Sequence, residues 1–292
     1  MKETAHRKKT AVITGASSGM GRVMACLLTE KIGCLEEIWL IARRTERLNT
    51  LSGELKSIGC RRGKALKIRM FSGDLCSETL RRMLREQLAL EQPDILFLVN
   101  AAGFGKIGPV SELEEAVQAA MTALNCETTV RMCRICLPYM RRKAGRIINF
   151  GSAAAFLPQP QFAVYAATKA FVLSFSEALG EELRRERIAV TAVCPGPVRT
   201  EFFGIAEELY SAALYKKMLM ADPKRVCRKA LSDSLKRKPV SIYGFTMNAF
   251  AVMTKVLPHR VFFSCMRQIN RNGERAGYAE AEHHGAGCWT AS

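Results

Sequence analysis

The sequence predicts an α/β protein with a doubly wound parallel sheet of about seven strands, helices on both faces and a C-terminal helical extension. Apolar strand-like runs alternate with amphipathic segments of helix length along most of the 292 residues. The early apolar runs are continuous, which is typical of strands covered on both faces. A content of 48% hydrophobic and 24% charged residues excludes disordered, collagen-like and low-complexity chains.

Seven apolar runs are predicted to be strands: residues 10–14, 37–42, 65–71, 95–100, 146–151, 189–194 and 240–243. Six segments with helical periodicity are predicted to be helices: residues 20–32, 44–58, 77–90, 113–142, 162–187 and 223–236. Residues 199–221 interrupt this alternation and are expected to form a loop-and-helix excursion.

The chain shows no internal repeat and no linker, so we expect one domain over residues 1–272. The C-terminal extension covers about residues 245–272, and residues 273–292 are small, polar and unpatterned, which indicates a loose tail. We expect the extension to pack on the core rather than on a membrane surface or a partner. No secretory signal and no run of about 20 apolar residues is visible, so a cytoplasmic location is expected.

Lys and Arg number 44 against 27 Asp and Glu, which gives a net charge of +17. The basic residues are spread along the whole chain without a nucleic-acid motif, so we expect a solvated basic surface and no nucleic-acid partner. The eleven cysteines are scattered, which indicates reduced and mostly buried thiols. The four histidines show no metal-ligand spacing, and no metal is expected.

A glycine-rich turn, TGASSGMG at residues 14–21, joins the first predicted strand to the first predicted helix. Gly15, Gly19 and Gly21 permit a tight turn and a close approach of the backbone to a pyrophosphate. The free N–H groups of the helix N-terminus favour the same anion. This context predicts a dinucleotide site rather than a structural turn.

The second predicted strand ends at Ala42, where an NAD-selective site places an acidic residue. Arg43 and Arg44 follow instead, and a guanidinium group suits a 2′-phosphate, so NADP(H) is the expected cofactor. Arg43 is the expected partner of the phosphate. The alternative is that both arginines simply begin a polar helix.

The ends of other predicted strands carry further candidate cofactor-binding residues. Asp74 and Leu75 follow the third strand, where the carboxylate contacts adenine or, alternatively, caps a helix. The small residues of the NAAG sequence at 100–103 let the chain pass close to a flat cofactor. After the turn of residues 195–198, the hydroxyl of Thr200 is placed to hold a nicotinamide carboxamide.

Tyr165 and Lys169 are spaced i, i+4 and therefore share one face of a helix. A free tyrosine has a pKa of about 10, and a neighbouring ammonium group lowers that pKa, so Tyr165 can exchange a proton with a hydroxyl or carbonyl group. Ser152, at the end of the fifth strand, is placed to hydrogen-bond the same oxygen. Asn125 is a polar amide inside a predicted helix, where helix propensity does not favour it.

These motifs, in this order over roughly residues 9–245, resemble the short-chain dehydrogenase/reductase family: TGxxxGxG at 14–21, NAAG at 100–103, Asn125, Ser152, YxxxK at 165–169 and PGPVRT at 195–200. The resemblance implies a Rossmann-type fold and hydride transfer between the nicotinamide and a substrate carbonyl carbon. It also implies a homodimer or homotetramer paired through the two long helices of residues 113–142 and 162–187.

The resemblance implies four catalytic residues. Tyr165 is the acid in reduction and the base in oxidation, and Ser152 positions the reacting oxygen. Lys169 holds the ribose hydroxyls and lowers the tyrosine pKa, and Asn125 holds a water that links Lys169 to a proton relay. The expected cofactor-binding residues are Gly15, Ser17, Ser18, Gly19, Met20, Gly21, Arg43, Asp74, Leu75, Asn100, Ala101, Gly103, Tyr165, Lys169, Pro195, Gly196, Val198 and Thr200.

One departure bears on the cofactor. Many NADP-preferring members carry a basic residue in the glycine turn, whereas this chain has Ser17 and Ser18. The expected preference therefore rests mainly on Arg43.

The expected substrate pocket is built from residues 103–105, 153–162 and 202–219. Its candidate lining residues are largely apolar and favour a bulky hydrophobic ketone or secondary alcohol: Phe104, Ala153, Phe156, Leu157, Phe162, Phe202 and Phe203. The NAAGFG run and the extended C-terminus resemble members that act on steroids, bile acids or long acyl chains. The first hypothesis is an NADP(H)-dependent hydroxysteroid-type dehydrogenase acting on a steroid or bile-acid hydroxyl.

Two alternatives stay open. A 3-oxoacyl-thioester reductase would use basic residues around the mouth of the cleft to bind an acidic acyl carrier protein. A non-catalytic NADP(H)-sensing module is disfavoured, because Ser152, Tyr165 and Lys169 are all present.

Overall fold

The computed structural model describes residues 6–202 and 220–264. Phe203, most of the predicted excursion of residues 199–221 and the predicted tail of residues 273–292 lie outside the described residues. The chain divides into two compact units, Met1–Asn248 and Ala249–Ser292. The first unit contains the whole sheet. In the second, the rings of Phe250 and Phe262 meet edge to face at 6.3 Å. The single domain predicted for residues 1–272 stays a prediction.

The described residues form one seven-stranded parallel sheet, which confirms the predicted fold. Its strands are β1 Lys9–Thr14, β2 Glu37–Ala42, β3 Lys67–Ser72, β4 Asp94–Asn100, β5 Arg146–Phe150, β6 Ala189–Val193 and β7 Val240–Ser241. Their order in space is β3-β2-β1-β4-β5-β6-β7. The order reverses between β1 and β4, and ligands of such sheets bind in the crevice outside the carboxyl ends of the strands at this point.

Helices cover both faces of the sheet. Within the described residues these helices are α1 Gly19–Lys31, α2 Thr45–Arg61, α3 Glu78–Glu91, α4 Glu115–Thr122, α5 Thr128–Cys136, α6 Ala163–Glu182 and α7 Pro223–Leu235. A further helix, α8 Phe245–Val256, begins in the first unit and continues into the second. Leu28 of α1 packs in the core of one face, and Leu84 of α3 packs in the core of the other. Every residue of β2 is buried because both of its faces are covered.

None of the helices in the part of the chain that the structure describes is long and apolar enough to cross a lipid bilayer. The cytoplasmic location stays a prediction. The nine cysteines among the described residues are free thiols.

The helix predicted over residues 113–142 is present only in part: it begins at Glu115, a π turn interrupts it, and its last α-helical residue is Cys136. A π turn, Ala123–Glu127, separates α4 from α5, and a 3-10 turn, Leu137–Tyr139, follows α5. In the π turn, Thr128 Oγ1 donates to the Ala123 carbonyl at 3.2 Å and Thr129 Oγ1 donates to the Asn125 carbonyl at 2.8 Å. These hydroxyl groups satisfy carbonyls at the point where the helix widens.

The other observed helix and strand boundaries lie closer to the predicted ones. β5 ends at Phe150, one residue before the predicted end, and α6 ends at Glu182, five residues before the predicted end. β3 begins at Lys67 rather than at residue 65. Helix and strand ends are set by the local hydrogen bonds, which the hydrophobic pattern does not reveal.

A buried carboxylate of α7 holds the short edge strand β7 in place through a hydrogen bond. The Asp233 side chain, at the end of α7, is 4% exposed, accepts a hydrogen bond from Ser241 Oγ at 2.8 Å, and pairs with Lys229 and Lys238. Burial raises the pKa of Asp233, but the hydrogen bonds from Lys229 and Ser241 outweigh burial and hold that pKa below its ordinary value.

We expect Asp233→Asn to lower the free energy of unfolding by about 1–3 kcal/mol at pH 7, because an amide cannot pair with two ammonium groups. A carboxyl group whose pKa is lowered by folding stabilises the native state above its unfolded pKa and loses that effect as the pH falls. The difference between variant and wild type should therefore shrink in acid. Urea unfolding at several pH values measures it.

Glu181→Gln is the matched control, because Glu181 makes an exposed pair with Arg184. It should change the free energy of unfolding by less than about 0.5 kcal/mol. Equal losses in the two variants would contradict the role assigned to Asp233.

Candidate active site

A cavity of about 530 Å³ opens at the carboxyl ends of the strands. It lies between the glycine turn, the ends of β4 and β5, and residues 195–202. Most of the predicted site residues line it: Gly15, Ser17, Ser18, Gly19, Met20, Arg43, Asp74, Leu75, Ala101, Gly103, Ser152, Tyr165, Lys169, Pro195, Gly196, Val198 and Thr200. The fold therefore brings the separate sequence motifs to one place.

Two glycines are required by close backbone contacts in the glycine turn. Gly15 has φ +65°, and a Cβ there would lie 2.7 Å from the Ala101 carbonyl oxygen. A Cβ on Gly21 would lie 2.4 Å from the Gly15 carbonyl oxygen. Gly21 thus packs behind the turn and is not among the residues that line the cavity.

The turn leaves the N-terminus of α1 available to an anion. Ser18, the N-cap residue, makes no side-chain capping hydrogen bond, and the first turn of α1 contains no acidic residue. Gly19 and Met20 line the cavity. Uncapped N–H groups and the positive end of the helix dipole suit a pyrophosphate, so this part of the site fits a dinucleotide.

The NAAG segment is held against the glycine turn by one hydroxyl group. Thr14 Oγ1 accepts hydrogen bonds from the backbone N–H groups of Ala101 and Ala102 at 3.1 and 3.2 Å. Asn100, expected among the cofactor-binding residues, is buried behind the cavity wall. Its Nδ2 donates to Asn149 Oδ1 at 2.9 Å, so its side chain joins β4 to β5.

Two arginines line the end of the cavity beside β2. The guanidinium group of Arg43 forms no hydrogen bond or ion pair with any residue that the structure describes. Arg44, in contrast, donates from Nη2 to Ser18 Oγ at 2.7 Å and from Nη1 to Glu201 Oε2 at 3.1 Å. An unpaired guanidinium group beside the glycine turn fits a 2′-phosphate.

Asp74 lines the cavity and does not cap α3. Its Oδ1 accepts from the Cys76 N–H at 2.9 Å, whereas Ser77 is the N-cap residue of α3 and accepts from the Thr79 N–H. Of the two interpretations of Asp74, the helix cap is therefore wrong, and contact with adenine stays a prediction.

The first turns of α6 place Tyr165 and Lys169 side by side. Both side chains are buried on the cavity wall, and Lys169 Nζ lies 5.6 Å from the centre of the tyrosine ring. Lys169 Nζ donates to the Phe150 carbonyl at 2.8 Å, which ties α6 to the end of β5. Ser152 lies two residues after the end of β5 and lines the cavity together with Tyr165, and its Oγ accepts a hydrogen bond from the Ala154 N–H at 3.1 Å.

Burial shifts the pKa values of both groups toward their neutral forms. It raises the pKa of Tyr165 above its ordinary value, and the Ser152 hydroxyl opposes part of this rise. Burial lowers the pKa of Lys169 to about 8. Desolvation by burial is the largest influence on the pKa of Tyr165 in this structure, and the expected lowering of that pKa by Lys169 is not seen. At neutral pH Tyr165 keeps its proton and Lys169 is mainly an ammonium ion.

Asn125 stands in the π turn, and its side chain fixes the loop after β4. Oδ1 accepts from the Phe104 N–H at 3.1 Å, and Nδ2 donates to the Phe104 carbonyl at 2.9 Å and to Thr168 Oγ1 at 3.0 Å. A Cβ on Gly103 would lie 2.8 Å from Asn125 Oδ1, so glycine is needed there. Asn125 lies behind the cavity wall, and its relay water stays a prediction.

Aromatic rings surround the tyrosine. The ring of Phe162 stacks on Tyr165 at 4.2 Å between centres, and the ring of Phe202 lies at 5.3 Å. Both rings line the cavity together with Phe104 and Ala153. Leu157 is buried and, like Phe156, does not line the cavity, and Phe203 lies outside the described residues.

Sequence reasoning named Arg44 only as the less favoured of the two arginines, and it did not single out three other polar or charged residues that line the cavity: Lys106, Gln159 and Glu201. Gln159 lies in the predicted pocket segment 153–162, whereas no motif marks Lys106 or Glu201. Among the described residues, no group of three His, Cys, Asp or Glu side chains could hold a metal ion. The absence of a metal stays a prediction.

Comparisons with known proteins agree with this geometry. Residues 9–209 match the family model described as short chain dehydrogenase. A short chain dehydrogenase of Pseudocercospora fijiensis is 32% identical over 214 residues, which are 72% of this chain and 66% of that protein. The 17-beta-hydroxysteroid dehydrogenase type 3 of Danio rerio is 34% identical over 203 residues, 67% of this chain and 62% of that enzyme. The chain thus spans less than two thirds of either relative.

One solved structure is similar over nearly the whole chain. It is a short-chain dehydrogenase from Sphingobium yanoikuyae in complex with NADPH, with 25% identity and a TM-score of 0.70. The likeness covers 93% of this chain and 95% of that one.

Gly105 offers a test of the aromatic surroundings. A Cβ on Gly105 would lie 2.7 Å from Tyr165 Cδ2 and 3.0 Å from the rings of Phe162 and Phe202. We expect Gly105→Ala to displace the tyrosine and to lower the turnover number of any reaction that uses the Tyr165 hydroxyl group by about ten- to a hundredfold. Gly53→Ala, with nothing within 4 Å of the added Cβ, should leave turnover unchanged. Equal turnover in both variants would show that the position of the ring is not critical.

Proposed function

Because the chain belongs to the short-chain dehydrogenase family, we propose that it is an NADP(H)-dependent oxidoreductase that interconverts a secondary alcohol and a ketone on a bulky hydrophobic substrate. A steroid or bile-acid hydroxyl is the first candidate. One observation carries the proposal: Tyr165, enclosed by Phe162 and Phe202, shares a cavity with Arg43 and the N-terminus of α1. A proton donor, an apolar surface and an anion site thus lie together.

Different cavity residues would bind different parts of the cofactor. The backbone of the glycine turn and the N-terminus of α1 would hold the pyrophosphate, and Arg43 would hold the 2′-phosphate. Asp74 and Leu75 would contact adenine, Lys169 the ribose, and Val198 and Thr200 the nicotinamide. When bound, the nicotinamide ring supplies or accepts the hydride.

In reduction, Tyr165 donates its hydroxyl proton to the substrate oxygen, and in oxidation its phenolate takes the proton back. Ser152 hydrogen-bonds the same oxygen and positions it. The Lys169 ammonium group stabilises the phenolate that is left after proton donation. Because burial raises the pKa of Tyr165, the proton-donating form prevails at neutral pH.

The distribution of charge favours a free hydrophobic substrate over an acyl chain on an acidic carrier protein. Four cationic residues line the cavity: Arg43, Arg44, Lys106 and the buried Lys169. Dense basic runs lie elsewhere, in residues 141–143, 184–187 and 236–238. These runs directly precede β5, β6 and β7 and therefore lie at the amino ends of the strands, away from the cavity at the carboxyl ends. The steroid dehydrogenase among the relatives supports a bulky ketone as well.

We also propose that two or four copies of the chain associate through α4, α5 and α6. Phe171, on α6, is 43% exposed, a large apolar side chain that a partner copy would cover. Light scattering during gel filtration measures the number of copies.

The proposed reaction is tested by following NADPH, and separately NADH, with purified protein and a panel of oxo-steroids, oxo-bile acids and 3-oxoacyl thioesters. We expect NADPH oxidation with one regiospecific ketone. Tyr165→Phe should lower turnover by at least about a hundredfold, because it removes the proton donor, and should leave NADPH binding intact. Tyr139→Phe, which changes a tyrosine outside the cavity, is the matched control.

Turnover of thioesters alone would move the assignment to the carrier-protein reductase. Tight NADPH binding without any turnover would favour the sensing module. Faster turnover with NADH would contradict the proposed cofactor preference.

The rate of ketone reduction should depend on pH through Lys169. With a pKa of about 8, Lys169 loses its ammonium charge as the pH rises through that value, and the phenolate loses its stabilising partner. We expect the turnover number to be level in mildly acidic solution and to fall above about pH 8. A turnover number that rises through pH 8 would contradict this role. Turnover at saturating NADPH and ketone between pH 6 and 10 measures it.

A further inference from the structure

Glu201 forms an ion-pair cluster with Arg44, the N-cap residue of α2, and with Arg47 in α2. One carboxylate oxygen accepts from Arg44 Nη1 at 3.1 Å, and the other accepts from Arg47 Nη1 at 2.6 Å. The three side chains are between 43% and 49% exposed, so solvent and ligands reach them. Hydrogen bonds from Arg47 and then Arg44 lower the pKa of Glu201, which is therefore a carboxylate at neutral pH.

The cluster occupies the part of the cavity where a 2′-phosphate is expected. Arg44 bridges Glu201 to the glycine turn through its hydrogen bond to Ser18 Oγ. Glu201 and Arg44 both line the cavity, whereas Arg47 stands outside it. A carboxylate thus already holds one of the two guanidinium groups beside the glycine turn, and Arg43 is the one without a partner among the described residues.

We propose that Glu201 is a specificity-determining residue that competes with the 2′-phosphate of NADP(H) for Arg44 and so sets the ratio of NADPH to NADH affinity. This inference rests on the cofactor named in the proposed function. The phosphate must displace the carboxylate to gain Arg44, and a carboxylate that stays nearby repels it. NADH carries no 2′-phosphate and therefore leaves the pair of Glu201 and Arg44 undisturbed.

Arg47 favours replacement of the Glu201 carboxylate by the 2′-phosphate at Arg44. When the phosphate takes Arg44, Glu201 keeps the hydrogen bond to Arg47, so its carboxylate is not left without a partner.

The test is the equilibrium dissociation constant of NADPH and of NADH, measured by isothermal titration calorimetry at low ionic strength. We expect Glu201→Gln to bind NADPH about three- to fivefold more tightly than wild type and to change NADH affinity by less than about twofold, the size of effect that one exposed ion pair supports. Glu46→Gln is the matched control, because it removes the same charge at the exposed N-terminal end of α2, where Glu46 forms no ion pair with any residue that the structure describes.

A second pair of variants separates competition for Arg44 from simple repulsion. In an Arg44→Gln background, Glu201→Gln should no longer tighten NADPH binding by more than about twofold. An undiminished gain in that background would overturn the competition. Equal changes for NADPH and NADH, no change in either, or the same gain in Glu46→Gln would overturn the role of Glu201.

The proposed function can fail separately. If wild type binds NADH and not NADPH, the proposed cofactor preference is wrong. Glu201→Gln then still decides the inference, because a gain of NADPH binding supports it and the lack of a gain overturns it.

Discussion

The site depends on one close contact between the ends of β1 and β4. The Thr14 hydroxyl holds the backbone of Ala101 and Ala102, and Gly15 lies so near the Ala101 carbonyl that no side chain fits between them. The contact fixes the glycine turn on one wall of the crevice and the NAAG segment on the other. The direction of α1, the cavity and the position of Arg44 beside Ser18 all follow from this separation.

The aromatic enclosure of Tyr165 has two effects that a purely electrostatic account would miss. The rings of Phe162 and Phe202 supply apolar contact area for a substrate, and burial among them makes the phenolate costly. The same burial weakens Lys169 as a cation. An apolar pocket and a protonated tyrosine are therefore linked properties of this site.

Local patterns predicted the fold well because parallel strands covered on both faces must be continuously apolar, as in β2. The motifs at the strand ends predicted most of the cavity wall for a similar reason, since every strand of a parallel sheet ends at the same edge. The pairs of Glu201 with Arg44 and Arg47 join residues more than 150 positions apart, and no local spacing reveals them. The relation between Asn125 and Phe104 was hidden by the π turn, which leaves no trace in hydrophobic periodicity.

The π turn also bears on how this segment tolerates changes in length. Five residues occupy Ala123–Glu127, so the stretch holds about one residue more than regular α-helical turns would. Each residue advances an α-helix by about 100°, and removing one residue here would rewind the turn and rotate either α4 or α5 about its axis. Buried Met132 would then leave its packing on the sheet, or buried Met121 would turn away from its cluster. Asn125 therefore stands at a one-residue insertion that keeps two helical faces in phase with two different cores.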